Sequence, residues 1–197
     1  LRFTESNVQS SGGWHTVANL FTPPGWSFTN LEIKDSWIYG GVINLYDTNT
    51  ATLAFTNSIL ENVYYDVWPI YVETENSLAP KSYAYNSLLR AVQGEWFQFT
   101  TNAVTWRFFD NLLDTCLFCN GSADLVHSNN ALYASAQSYT NFYPRSGTEM
   151  ILASLSYQGG RLGDYYQPTN SLLINAGSLT NAGLAGLYHF TTLTNQV

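Results

Sequence analysis

Charge is what this chain has least of. Lys and Arg together number 7 and Asp and Glu 14, so charged residues make up 11% against roughly 25% in an ordinary soluble domain. The seven basic residues, Arg2, Lys34, Lys81, Arg90, Arg107, Arg145 and Arg161, are scattered along the sequence. No basic stripe is present to neutralise phosphates, and the formal net charge is -7, so nucleic acid is excluded as an expected partner. No apolar run approaches the roughly 20 residues of a membrane-spanning helix, so no membrane span is expected. His15, His127 and His189 lie far apart. No GxSxG signature of a nucleophilic serine occurs. Gly12-Gly13 and Gly159-Gly160 are isolated turns rather than a phosphate-cradling loop.

Cysteine is equally sparse. The only two form Cys116-Leu117-Phe118-Cys119, and three readings compete. They are small apolar side chains in or near the core, or a local disulfide across a turn in an oxidising compartment. As a redox or metal motif the pair lacks both a βαβ setting and a second ligand pair.

Hydrophobic residues make up 45% of the 197 positions, ample for the core of one domain. Asn, Ser, Thr, Tyr and Gly replace the missing charges. A surface of hydroxyls and amides is that of an extracellular β-protein and suits crowded lateral contact or polysaccharide. The chain opens Leu1-Arg2-Phe3-Thr4 and closes Asn195-Gln196-Val197, and both ends are expected to be cuts through a longer chain.

One phrase recurs: a strand, then Asn or Asp, a small or polar residue, and apolar residues. It reads Ile33-Lys34-Asp35-Ser36-Trp37-Ile38, Phe55-Thr56-Asn57-Ser58-Ile59-Leu60, Ala84-Tyr85-Asn86-Ser87-Leu88-Leu89, Phe109-Asp110-Asn111-Leu112-Leu113 and, more weakly, Asn129-Asn130-Ala131-Leu132. The anchors are Asp35, Asn57, Asn86, Asn111 and Asn130, at intervals of 22, 29, 25 and 19 residues. Each interval is one coil of a solenoid, with loops absorbing the variation. Asn tolerates left-handed backbone geometry and bonds its own neighbours, and stacked Asn side chains bond one another from coil to coil. The five anchors therefore form a turn ladder, and the apolar residue two places on, Ile59, Leu88, Leu113 or Leu132, is expected in the core. The fold class is all-β, a right-handed parallel β-helix with coils of roughly 19–29 residues. Residues 1–160 supply the coils with loop insertions, 161–197 a terminal coil and tail. Residues 135–145 read as a loop, and Thr22-Pro23-Pro24-Gly25 as turn punctuation. The run Val63–Val72 is apolar on both faces, so some of its aromatics are expected to be exposed or covered by loops or a partner.

Near the C-terminus, Gly163-Asp164-Tyr165-Tyr166-Gln167-Pro168-Thr169-Asn170-Ser171-Leu172-Leu173-Ile174-Asn175-Ala176-Gly177 resembles the closing phrase of many bacterial right-handed β-helix proteins. There a Gly-Asp-Tyr-x-Leu segment leads to Ser-Pro-Ala-Ile-Asp-Ala-Gly. This chain departs at Leu172 and Leu173, where Pro-Ala is usual, and at Asn175, where Asp is usual. The following Ala185-Gly186-Leu187-Tyr188-His189-Phe190 is similar to the tail of large planctomycete and verrucomicrobial surface proteins. The resemblance implies a pectin-lyase-like β-helix at the cell surface or outside the cell. It implies no particular activity, because that superfamily holds lyases, hydrolases, adhesins and structural repeats.

A polysaccharide hydrolase on such a scaffold needs converging carboxylates. The candidate pairs are Asp110 with Asp114 and Glu73 with Glu75, and for each a solvated edge or turn is the competing reading. Asp47-Thr48-Asn49-Thr50 starts like a calcium loop but lacks the Gly and distal Glu, leaving calcium a weak expectation and a plain turn the stronger. Asn120-Gly121-Ser122 fits a glycosylation acceptor or a turn. Trp68, Tyr71, Trp96 and Trp106 are candidates for an aromatic binding surface that stacks on sugar rings or anchors a protein. No catalytic or metal residue is assigned and no cofactor expected. The reading favoured is a non-catalytic extracellular structural or adhesive module, self-associating end to end, with other copies or surface proteins as partners. The alternatives are a polysaccharide lyase or glycoside hydrolase, or a carbohydrate-binding module.

Overall fold

The structure, a computed structural model, describes residues 2–4, 7–9, 16–21, 30–40, 42–47, 52–69, 81–96, 105–119, 124–134, 148–160, 163–174 and 176–178. Strands come in rounds of three. The first round is β1 (Arg2–Thr4), β2 (Asn7–Gln9) and β3 (Thr16–Phe21), and the second β4 (Asn30–Lys34), β5 (Trp37–Tyr39) and β6 (Val42–Asp47). The third is β7 (Thr52–Thr56), β8 (Ile59–Glu61) and β9 (Tyr64–Pro69), and the fourth β10 (Lys81–Tyr85), β11 (Leu88–Arg90) and β12 (Gln93–Trp96). The fifth is β13 (Thr105–Phe109), β14 (Leu112–Asp114) and β15 (Leu117–Cys119), and the sixth β16 (Asp124–Ser128) and β17 (Ala131–Tyr133). After these come β18 (Met150–Ile151) and an antiparallel pair, β19 (Gln158–Gly160) and β20 (Gly163–Tyr166).

Each strand pairs with its counterpart one round away. Sheet A runs β1-β4-β7-β10-β13-β16, sheet B β18-β17-β14-β11-β8-β5-β2, and sheet C β15-β12-β9-β6-β3. All pairings within these three sheets are parallel. Among the described residues there is no helix. The protein is all-β, with parallel strands in stacked sheets, an arrangement compatible with a parallel β-helix.

Two left-handed corners create this shape. The first lies between sheets A and B, at Asp35, Asn57, Asn86, Asp110 and Asn129, all at positive φ. The second follows sheet B, at Gly40, Asn62, Ala91, Thr115 and Ala134, also at positive φ. Each corner pair is five residues apart, which leaves room for one three-residue strand between them. Ala91, Thr115 and Ala134 pay for that geometry with about 1–2 kcal/mol each. The strain is offset by ladder bonds across the corner, such as Ala91 N to Asp114 O at 2.8 Å and Thr115 N to Tyr133 O at 2.9 Å.

The first corner corrects the sequence reading by one residue. Asp35, Asn57 and Asn86 occupy the left-handed position, but in the fifth and sixth rounds Asp110 and Asn129 do. Asn111 and Asn130 stand in the next column, in register with Ser36, Ser58 and Ser87, because Leu112 pairs with Leu88 and Ala131 with Leu112. The ladder is thus two adjacent columns. In a strand with period two, a one-residue shift exchanges the faces. Leu60 and Leu89 are the buried residues, while Ile59 and Leu88, expected in the core, face outward and are half-buried; Leu113 and Leu132 are buried as expected.

Among the described residues the core shows three columns. Ile33, Phe55, Ala84 and Phe108 come from sheet A, Ile38, Leu60, Leu89, Leu113 and Leu132 from sheet B, and Val63, Val92 and Cys116 from the second corner, all buried. Each fully buried side chain of this size stabilises by about 1.5–3 kcal/mol. The expected boundary at residue 160 falls within the β19–β20 hairpin. Residues 22–25 and 135–145 lie outside the described residues.

The register correction is testable in urea. Leu89→Ala is expected to cost about 2–5 kcal/mol, and Leu88→Ala, one residue away, clearly less. A loss at Leu88 as large as that at Leu89 would contradict the corrected register, and a larger one would return it to the uncorrected reading.

Candidate functional site

The outward column of sheet B carries charge of alternating sign. In three successive strands the third residue is Glu61, Arg90 and Asp114, directly in register. The Arg90 guanidinium donates to Glu61 Oε1 from Nη1 at 3.2 Å and lies 3.4 Å from Asp114 Oδ2 through Nε. Asp114 is buried, at 5% exposure. A carboxylate so placed requires a counter-charge and donors, and Arg90 supplies one of them.

The remaining donors come from the C-terminal segment, which lies across this face. The Tyr157 hydroxyl donates to Asp114 Oδ2 at 2.8 Å, and the Tyr165 hydroxyl to Glu61 Oε2 in a short contact. Arg90 sits 5.4 Å from the centroid of the Tyr157 ring. Trp37, Tyr165 and Tyr157 form an edge-to-face row, with centroids 5.6 Å and 6.4 Å apart. Further on, Ser178 N donates to Asp110 Oδ1 at 2.8 Å. Beside Trp37, Ile59, Leu88 and Leu112 form the outward apolar column of sheet B, and all are half-buried. The pairs Ile59-Leu60, Leu88-Leu89 and Leu112-Leu113 thus each send one side chain to the core and one to the outer face.

Asp110 and Asp114, considered as an acid–base pair, are separated in function. Asp110 forms the left-handed corner and holds Ser178, with its Oδ2 buried and unpartnered. Asp114 stands at the far end of β14, held by Arg90 and Tyr157. Burial first, and then donation to a carboxylate, raises both phenols above the ordinary tyrosine value. A phenol held protonated in this way is a hydrogen-bond donor and a poor general base.

A second buried cluster closes the first corner. Glu149, whose side chain is fully buried, accepts from Asn130 N at 2.9 Å and Asn130 Nδ2 at 3.2 Å, and meets His127 Nδ1 at 2.5 Å. His127 is in register with Phe108, at the end of the sheet A core column.

Of the aromatic candidates, Trp68 and Trp96 belong to sheet C strands and Trp106 to sheet A. Trp96 is in register with Val67 rather than with Trp68, so the backbone does not assemble these positions into one column. Tyr71, Glu73, Glu75, His15, His189, Asn120-Gly121-Ser122 and residues 48–50 of the calcium-like segment lie outside the described residues. The aromatic stack on the outer face of sheet A was not expected: Tyr83 and Tyr85 are stacked at 6.0 Å, Tyr85 and Phe109 at 5.6 Å. These ring faces are turned toward one another, which leaves edges rather than a stacking platform.

Cys116 is buried in the core column with Val63 and Val92, and its Sγ donates to Leu89 O at 3.0 Å. Cys119, the partner considered for a disulfide, ends β15, and its side chain lies outside the described residues. Burial pushes the Cys116 thiol up to about 12. Among the described residues, no group of three or more His, Cys, Asp and Glu gathers to hold a metal ion, and no helix is long and apolar enough to cross a membrane. No protein-family model matches the chain, and no curated protein or solved structure matches it either.

Two measurements check the site. In a Cys119→Ser variant, Cys116 is expected to resist alkylation at pH 8 until the protein unfolds, and rapid labelling of the folded protein would contradict its burial. Tyr157→Phe is expected to cost about 1 kcal/mol at neutral pH. A phenol raised on folding contributes stability below its unfolded value of about 10 and loses it as pH rises through the folded value. The difference between wild type and Tyr157→Phe is therefore expected to close in the alkaline range, and a pH-independent difference would count against the Tyr157–Asp114 bond.

Proposed function

We propose that this chain is a non-catalytic structural or adhesive module, a right-handed parallel β-helix of the pectin-lyase-like kind, that works outside the cell and associates end to end with other copies of itself. The observation that carries the reading is how the carboxylates are used. Asp110 and Asp114, the candidate hydrolytic pair among the described residues, hold Ser178 and Tyr157 of the chain's own C-terminal segment, and Glu61 holds Tyr165. Groups engaged in this way secure architecture instead of meeting a polymer. Parallel strands stacked along one axis also have edges at the ends of the stack, where unpaired backbone groups template further strands. The low charge of 11% favours close lateral contact.

Sedimentation over a wide concentration range, with electron microscopy of the concentrated protein, tests this reading. Rods that lengthen with concentration are expected. A strict monomer throughout, or cleavage of pectin, alginate or a related polymer, overturns it.

A further inference from the structure

In a stack of repeats each round touches only its neighbours, so stability is a sum of local terms and the ends open independently of the middle. The C-terminal segment breaks that rule here. It leaves the stack after β18, and Leu152 is its last buried anchor there. Its hairpin then meets rounds far from that exit. Tyr165 packs on Trp37 of the second round and donates to Glu61 of the third. Tyr157 packs on Arg90 of the fourth and donates to Asp114 of the fifth. Ser178 returns to Asp110 of the fifth.

We infer that the C-terminal segment, through Tyr157, Tyr165 and Ser178, acts as an axial staple that ties the second to the fifth round into one cooperative unit. The two tyrosines are joined to each other through the hairpin, where Gln158 pairs with Tyr166, and through their rings at 6.4 Å. A load on one anchor therefore reaches the other without passing through the intervening rounds. Between the anchors, Arg90 bridges the third and fifth rounds through Glu61 and Asp114, so the surface under the staple is itself cross-linked. This coupling stands on the placement of the segment and is independent of whether copies of the chain assemble.

Hydrogen exchange read strand by strand tests it on the full chain. In wild type, the amides of β5, β8, β11 and β14 are expected to open with one denaturant midpoint. Apart from its ring contact with Tyr165, Tyr157→Ala removes contacts with the fourth and fifth rounds only. It is nonetheless expected to lower protection in β5 of the second round by about tenfold, as much as in β14. Loss confined to β11 and β14 overturns the staple. Should Tyr157→Ala fail to fold, Tyr157→Phe keeps the ring and gives a weaker form of the same comparison. Staggered midpoints for β5 and β14 in wild type alone overturn the inference as well.

Discussion

The stack depends on one hydrogen bond, made again in each round. At the first corner the backbone leaves the ladder, and its amide must find an acceptor in a buried place. It finds the side-chain oxygen of the same column one round on: Ser36 N to Ser58 Oγ at 3.3 Å, Ser58 N to Ser87 Oγ at 3.1 Å, Ser87 N to Asn111 Oδ1 at 3.0 Å, Asn111 N to Asn130 Oδ1 at 3.0 Å, and Asn130 N to Glu149 Oε2 at 2.9 Å. The side chains satisfy their own donors as well. Ser36, Ser58 and Ser87 donate to the carbonyls of Lys34, Thr56 and Tyr85, while Asn111 and Asn130 reach back to those of Ala84 and Phe108. A buried polar column is costly when incomplete, and this one is complete from Ser36 to Glu149.

The core follows from that column. Once the corner is fixed, the next left-handed residue falls five positions on, and only one side chain of each sheet B triplet faces inward. Leu60, Leu89, Leu113 and Leu132 take that place, and the outward neighbours Ile59, Leu88 and Leu112 leave an apolar stripe. The same triplets end in Glu61, Arg90 and Asp114, and Glu61 and Asp114 give the C-terminal segment its polar anchors. Corner, core, stripe and anchors are consecutive residues of one short phrase.

Much of this is legible in the sequence. The phrase marks the rounds, and its Asn and Ser identify the corner. The register was ambiguous where two Asx residues adjoin, at Asp110-Asn111 and Asn129-Asn130, since either satisfies a left-handed position by type. Only the pairing of Leu112 with Leu88 decides between them. Aligning the triplets Ile59-Leu60-Glu61, Leu88-Leu89-Arg90 and Leu112-Leu113-Asp114 exposes the alternating charges. The contact of Tyr165 with Glu61, 104 residues apart, leaves no local trace. The Gly163-Asp164-Tyr165 phrase draws attention to the segment without naming what it touches.

The column of backbone amides at the first corner points one way only. Each of these amides faces the round that follows it and each side-chain oxygen that receives one faces the round before, so the two ends of the column are chemically unlike. Copies joined along the axis continue the column only head to tail, which would give such a filament a built-in polarity. At the described end of the column the Glu149 carboxyl group receives the amide of Asn130, where the earlier rounds present Ser or Asn.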